Sequence, residues 1–507
     1  MQNRNNSSQF ILSVIFSLMA VIINYGISFF ITPYITENIG TEAYGFVNLA
    51  KTFAGYASII TVAINGFAAR YVSIEYHKGN YKEANKYFSS IFWGDFIVAA
   101  VLLGLFGCII YKLENFISIP ESLVNDVKLL FLLDVINLLS LSLGTVFMIS
   151  TTIINRLDIS GIIKSLSYIT EALFLAIVFR LRVPKVYYIG LGLILSSFVL
   201  VALNMMVTHK YTPELKVERK SFSKSAVITI LKSGVWNSIN NLGGTLHSGL
   251  DLLITNIMLS PLMAGQLAII KTITVVFTTL FQLIAQPFQP LQLKYYALGD
   301  KPKLIDSFII AMKVDGLFSN LLAAGFAVFG AAFYSLWVPS EDSSVLQLLT
   351  IITIAGTLTE GATYPLFYSY TLTVKNKIPC FVTLGSGVLN LISMYILIKF
   401  FNMGLSVVVG TTAVVSIFGN FIFTPLYAAH CLNIKPTSFF PTIIKHSLSA
   451  VTMIILFNFT KKIIYPQKWL ELTCVAILCS AIGIIVHCII VLSKEDRRMI
   501  KKILFNR

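Results

Sequence analysis

Runs of about 20 mostly apolar residues, the length a helix needs to cross the hydrocarbon core of a bilayer, recur from Phe10 to Leu492 with short polar breaks between them. The apolar stretches are continuous where the strands of a closed barrel would alternate, so they predict helices. Fourteen membrane segments are expected, at roughly 9–33, 45–69, 87–111, 124–149, 160–180, 186–208, 233–258, 263–291, 306–337, 345–370, 378–398, 404–428, 440–460 and 470–493, each end good to a few residues. The first follows the weakly charged stretch Met1 to Ser8 and stays apolar to Pro33, longer than the apolar core of a cleavable signal. It is expected to be a retained helix.

The same pattern repeats on a larger scale. Shifted by 220 positions without a gap, Gly45 falls on Gly265, Lys51 on Lys271, Thr52 on Thr272, Tyr76 on Tyr296, Gly79 on Gly299 and Phe88 on Phe308. Six segments separate the copies, so both halves enter the membrane in the same sense, as in transporters whose halves are related by an axis along the membrane normal. The expected organisation is an N-terminal six-helix half at 1–208, a linker at 209–232, a second half at 233–428, and two further helices with a basic tail at 429–507.

Composition agrees with this picture: 56% of residues are hydrophobic and 12% charged, against about 25% charged in a soluble domain. The net charge of +15 raises nucleic-acid binding, but its placement favours topology. With the N-terminus in the cytoplasm, about 24 Lys and Arg fall on cytoplasmic loops and about 8 outside, as the positive-inside rule requires. Both termini are therefore expected in the cytoplasm, and no nucleic-acid partner is expected. Arg180, Arg182, Lys185, Lys461, Lys462 and Lys468 run against the rule. The cysteines Cys108, Cys380, Cys431, Cys474, Cys479 and Cys488 form no Cys-x-x-Cys pair, so neither a metal site nor a disulfide framework is indicated.

An ionisable side chain at membrane depth is costly unless it faces a cavity or a partner, which makes Lys51 and Lys271 the leading candidates for chemistry. Each lies on a polar face. In segment two, Tyr44, Asn48, Lys51, Ser58 and Asn65 recur at helical spacing, and in segment eight Lys271, Thr274, Thr278, Gln282, Gln286 and Gln289 do the same before a Pro287 and Pro290 kink. Segment seven carries Asn237, Asn241, Gly244, Ser248, Asp251 and Thr255, with His247 one turn before Asp251. In segment one, Ser17, Asn24 and Ser28 fall on Asn237, Gly244 and Ser248 under the same shift. Four helices thus offer polar stripes to one central chamber. The competing reading is that the lysines snorkel to the interface and that Ser, Thr and Asn hold helices together. Asp95, Asp134, Glu171, Asp315 and Glu360 are scattered over other helices without matched partners, and structural pairing and ion coupling are both open for them. No Gly-x-x-x-x-Gly-Lys-Ser/Thr loop is present, so nucleotide hydrolysis is not expected. The longest interior loop carries only Glu214 and Glu218 as acids, and no enzymatic activity or cofactor is expected.

The run ISFFITPYITENIGTEAYGFVNLAKTFAGYASIITVAINGFAARYVS, Ile27 to Ser73, resembles the first two helices of bacterial polysaccharide-repeat (Wzx-type) flippases of the multidrug/oligosaccharidyl-lipid/polysaccharide exporter superfamily. The likeness includes the Gly40-x-x-x-Tyr44-Gly45 turn, Gly66 and Arg70, and in the second half SGLDLLITNIMLSPLMAGQLAIIKT, Ser248 to Thr272, with its aspartate Asp251. The second repeat has Ala264-Gly265 in place of Tyr44-Gly45.

This resemblance implies an all-α V-shaped, MATE-like bundle with its cavity lined by helices one, two, seven and eight, in a bacterial cytoplasmic (inner) membrane. It also implies a flippase carrying undecaprenyl-diphosphate-linked oligosaccharide by alternating access for capsule, exopolysaccharide or O-antigen assembly. Lys51, Lys271 and Arg70 are then candidates for the anionic headgroup, although Arg70 is also placed to anchor helix two by snorkelling. Asn24, Ser28, Tyr44, Asn48, Asn65, Asn237, Asn241, Ser248, Thr274, Thr278, Gln282 and Gln286 are candidates for lining the cavity. Asp251, His247, Asp134 and Glu360 are candidates for coupling to a proton or sodium gradient. Expected partners are membrane lipids, the lipid-diphosphate-linked glycan, and a polysaccharide polymerase and glycosyltransferases. Two alternatives stand beside this: a cation-coupled drug exporter of the same superfamily, and a scaffold for glycan-assembly enzymes that transports nothing.

Overall fold

The computed structural model describes residues 2–401 and 403–497, apart from the side chains at 2–14, 17, 236, 237, 247, 248 and 357. Its elements are helical throughout. In chain order they are α1 (Gln2–Asn38), α2 (Thr41–Asn65), α3 (Ala68–His77), α4 (Tyr81–Tyr111), α5 (Val124–Ile153), α6 (Leu157–Leu181), α7 (Tyr187–Tyr211), α8 (Lys224–Gly244), α9 (Asp251–Met258), α10 (Pro261–Ala285), α11 (Gln289–Ala297), α12 (Lys301–Trp337), α13 (Ser343–Thr363), α14 (Tyr368–Leu372), α15 (Lys377–Phe401), α16 (Leu405–Ile417), α17 (Thr424–Cys431), α18 (Phe440–Ile463) and α19 (Trp469–Ile490). Among the described residues, 13 segments are long and apolar enough to cross a membrane. The fourteenth rod is α8 with α9, joined by a π-helical turn at Thr245–Gly249. It carries Asn237, Asn240, Asn241, His247 and Asp251, which lower its hydropathy.

Each expected span contains a helix, and most of the helices run longer than the apolar runs. Segment seven begins at Lys224 rather than at 233, and segment two continues past a break at Gly66 and Phe67 as α3. At some helix starts a side-chain cap holds the end in polar sequence. Asn80 accepts from the Glu83 N–H ahead of α4, and Asp300 accepts from the Lys303 N–H ahead of α12.

The chain forms two compact units, Met1–Ala268 and Ile269–Arg507. In the first, Ile64, Val72, Phe88, Ile91, Val146, Ile149, Leu215 and Ile230 bring α2 to α5, the 212–217 connection and α8 around one core. Glycines let backbones approach, as is usual between membrane helices. A side chain at Gly234 of α8 would run into the Ala63 carbonyl of α2, and one at Gly190 of α7 would lie 2.7 Å from the Leu133 Cβ of α5. Gly40, at φ 123°, makes the turn between α1 and α2, a backbone region that favours glycine. Lys185 pairs with Asp126 at 3.2 Å, which offsets one of the cations that run against the charge rule.

In the second unit, Phe308, Met312, Leu366, Tyr370, Tyr427, Phe439 and Ile443 form one core, while Val328, Met453, Phe457, Val475, Cys479 and Val486 fix the trailing helices α18 and α19 to α12. The opposite face of α18 leaves Ile444, Leu448, Val451, Ile455 and Phe459 exposed, a stripe that only lipid can solvate. All six cysteines are free, and Cys380, Cys431 and Cys479 are buried as small apolar residues.

Candidate functional site

The polar stripe of α2 is largely occupied with its own backbone. The Asn48 amide donates to the Tyr44 carbonyl (3.3 Å), the Thr52 hydroxyl to the Asn48 carbonyl (2.9 Å) and the Ser58 hydroxyl to the Gly55 carbonyl (2.6 Å). Tyr44 is buried. Asn65 donates to the Asp95 carboxylate (3.3 Å) and the Ser142 hydroxyl (3.1 Å), which ties α2 to α4 and α5. Lys51 differs from all of these, because its side chain is exposed. It lies within electrostatic reach of two buried carboxylates, Asp134 of α5 and Glu171 of α6. Asp134 and Glu171 are 3% and 6% exposed, and neither Asp134 oxygen has a hydrogen-bond partner among the described residues.

The π-helical turn between α8 and α9 frees carbonyls from the regular helical ladder. The Tyr56 hydroxyl of α2 donates to one of them, that of Gly249, at 3.2 Å. Asp251, two residues on, is buried at 3% exposure and within electrostatic reach of Tyr56. Asn241 is half-buried, while the side chains of Ser17, Asn237, His247 and Ser248 lie outside the described residues. In α1, Asn24 is exposed and Ser28 half-buried, with the Thr32 hydroxyl donating to the Ser28 carbonyl at 2.6 Å. Arg70 of α3 is exposed.

In the second unit, Lys271 is half-buried and its carbonyl accepts from the Thr274 hydroxyl at 3.1 Å. Thr278 bonds to the Val275 carbonyl, and Gln282 and Gln286 are exposed just before the break at Gln286–Phe288. Glu360 of α13 lies within electrostatic reach of Asp315 of α12, which is fully buried with both oxygens lacking a described hydrogen-bond partner.

The acids therefore come together in a way their spacing did not indicate. Asp134 and Glu171 meet around Lys51, and Asp315 meets Glu360. One signal was present in the sequence and missed. Asp95 and Asp315 are themselves related by the 220-residue shift, so they are matched, and both are fully buried in equivalent helices, α4 and α12. The repeat also appears in contact geometry. Gly45 and Gly265 face each other so closely that a Cβ on Gly45 would lie 2.8 Å from the Gly265 nitrogen.

Long apolar helices, a matched repeat and charged groups held at membrane depth define the class, a multi-span membrane protein with the fold of the multidrug/oligosaccharidyl-lipid/polysaccharide transporters. The solved structure of the lipid II flippase MurJ in an inward closed conformation superposes with a TM-score of 0.69, covering 94% of this chain and 99% of that one at 15% identity. An inward-facing multidrug resistance MATE family transporter of the same superfamily gives 0.58, covering 83% and 99% at 14% identity. The uncharacterized membrane protein EpsK of Bacillus subtilis (strain 168) is 27% identical over 487 residues, 96% of either chain. The sequence model of the polysaccharide biosynthesis protein family matches residues 11–290, and the chain belongs to that family. The resemblance carried by Ile27 to Ser73 is thus borne out, and the fold is one shared with solved transporters.

Proposed function

We propose that the protein is a flippase that carries an undecaprenyl-diphosphate-linked oligosaccharide repeat unit from the cytoplasmic to the external leaflet for surface polysaccharide assembly. The observation that carries the reading is the lysine pair. Lys51 and Lys271 hold equivalent places in the two repeats of a polysaccharide biosynthesis family member, and Lys51 is exposed on a helix where Asn48, Thr52 and Ser58 bond their own backbone and Asn65 bonds Asp95 and Ser142. Membrane lipids would stabilise a diphosphate poorly, whereas paired ammonium groups do so directly. The name of the lipid II flippase supports a lipid-linked cargo for this fold. Alternating access would carry the headgroup across while the lipid tail stays in the bilayer. Arg70 would meet the headgroup on the cytoplasmic side, Asn24, Ser28, Asn48, Asn241, Thr278, Gln282 and Gln286 would hydrate the sugars, and both termini would be cytoplasmic.

A cation-coupled exporter of small molecules is the second reading, favoured by the buried acids Asp251 and Asp315 and the half-buried Glu360. Purified protein in proteoliposomes separates the two. The flippase reading expects a diphosphate-linked glycan supplied on one leaflet to become accessible to an impermeant lectin on the other, with no uptake of a cationic dye. Gradient-dependent dye uptake without glycan movement would overturn it.

A further inference from the structure

We propose that Asp134 and Glu171 form a proton site governed by Lys51, so that the pair takes up a proton when an anionic headgroup engages the lysine. The inference rests on reading Lys51 as the anion site and adds a ligand, the proton, and a rule for when it binds.

Three helices build the cluster. At the level of Lys51, α2 meets α5 through Phe53 and Phe131, whose rings are 5.3 Å apart, and Asp134 lies one turn beyond Phe131. Gly192 lets α7 settle against α6, where a Cβ would lie 3.4 Å from the Glu171 Cγ. The two carboxylates are thereby enclosed and within electrostatic reach of each other. The groups facing them are few. From α2 there is Lys51, from α6 Tyr168, from α1 Tyr25 beside Tyr168, and from α7 the Ser196 hydroxyl beside Glu171. Asp95 of α4 is engaged two turns away with Asn65 and Ser142.

Among the described residues Lys51 is then the one cation within reach of two carboxylates, and one of those carboxylates has no hydrogen bond there to stabilise its charge. A diphosphate diester carries two ionised oxygens and lacks the near-neutral second ionisation of a phosphate monoester. When it draws on the Lys51 charge, the acids lose their shared counter-ion. An ionised carboxylate left in that state is strongly disfavoured. A proton taken up from solvent, bonding to one carboxylate oxygen to give a neutral acid, removes the conflict. No other bond forms or breaks. Linkage makes the effect reciprocal, since protonation of the acids frees Lys51 for the anion. The sign is therefore fixed: anion and proton favour each other's binding, and affinity rises as pH falls. A scheme in which proton and substrate compete for the site requires the opposite sign.

The test is calorimetric binding of a short-chain prenyl diphosphate N-acetylglucosamine to the full-length protein in nanodiscs. Wild type is expected to bind more tightly as pH falls, by up to about tenfold per pH unit where one full proton is linked. Titrations in buffers of different ionisation enthalpy should report net proton uptake. Asp134→Asn should flatten the pH profile, and Glu171→Gln serves the same purpose if the first variant fails to fold. Affinity that is flat, or that weakens towards acid, in a wild type whose binding is lost in Lys51→Gln would overturn the proton site while leaving the anion site standing. Equal binding by wild type and Lys51→Gln, or no binding by either, would remove the anion site and the inference with it. A dependence on sodium at fixed pH would assign the pair to a metal cation and overturn the proton.

Discussion

Gly45→Ala is expected to destabilise the protein although alanine is the better helix former. An added Cβ would lie 2.8 Å from the Gly265 nitrogen, 2.9 Å from its Cα and 3.2 Å from the Ala264 carbonyl carbon. All three atoms are backbone, so no side chain can swing aside. Ordinary contact begins near 3.4 Å, and the start of α2 must therefore withdraw from the start of α10 by about 0.6 Å, at a cost typical of overpacking, about 1 to 3 kcal/mol. Against this stands a helix-propensity gain of about 1 kcal/mol. Gly55→Ala supplies the control, since Gly55 is on the same helix and a Cβ there meets nothing within 4 Å. The difference between the two variants isolates the contact. Thermal unfolding of the purified proteins should place Gly55→Ala at or slightly above wild type and Gly45→Ala below Gly55→Ala by a few °C, on the order expected for 1 to 3 kcal/mol in a large domain. Equal midpoints would refute the close approach of the two repeat-matched glycines.

Other perturbations test separate parts of the account. Asn256 clamps the connection after α4 by accepting from the Ser118 N–H (2.9 Å) and donating to its carbonyl (3.1 Å), so Asn256→Ala should cost about 1 to 3 kcal/mol and make the 113–120 stretch more sensitive to protease. Asp496 lies beyond α19 with its carboxyl held below the ordinary range, because bonds from Lys313 (2.7 Å) and the Ser493 N–H (2.8 Å) outweigh the upward push of burial. Its folded-state value is depressed, so the stability it lends is present above the unfolded carboxylate range and lost as pH falls through the depressed value. Protection factors at residues 493–497, corrected for the intrinsic slowing of exchange in acid, should fall as pH falls, and Asp496→Asn should show that loss of protection at neutral pH. For topology, Ser260→Cys should react with an impermeant thiol reagent from outside, and Gly79→Cys only after permeabilisation. The reverse pattern would overturn the orientation.

The long apolar runs were legible because lipid imposes one rule on every span, and span after span is found where hydropathy places it. What the pattern did not carry was set by neighbours. Nothing in the register of α2 says that Asn65 turns to Asp95 and Ser142, since that depends on how three helices cross. The meeting of Lys51 with Asp134 and Glu171 joins residues from three helices with no shared spacing. The split of the chain after Ala268 was also hidden. Segment seven belongs by sequence to the second repeat, but Gly234 and Gly249 pack it along α2, against Ala63 and Tyr56. The match between Asp95 and Asp315 was within reach, because the shift that pairs the lysines also pairs these aspartates.

The central proposal, drawn from the repeat in the sequence, is that Lys51 and Lys271 both serve the diphosphate. It is tested most directly by translocation of an undecaprenyl-diphosphate-linked glycan in proteoliposomes containing wild type, Lys51→Gln, Lys271→Gln or the double variant. The account predicts that each single change impairs translocation and the double variant impairs it most. The two effects should be non-additive in the cycle, and Arg at either position should restore part of the activity because guanidinium also binds phosphate. Wild-type translocation by a well-folded double Gln variant would contradict the account and leave interfacial snorkelling as the explanation of both lysines.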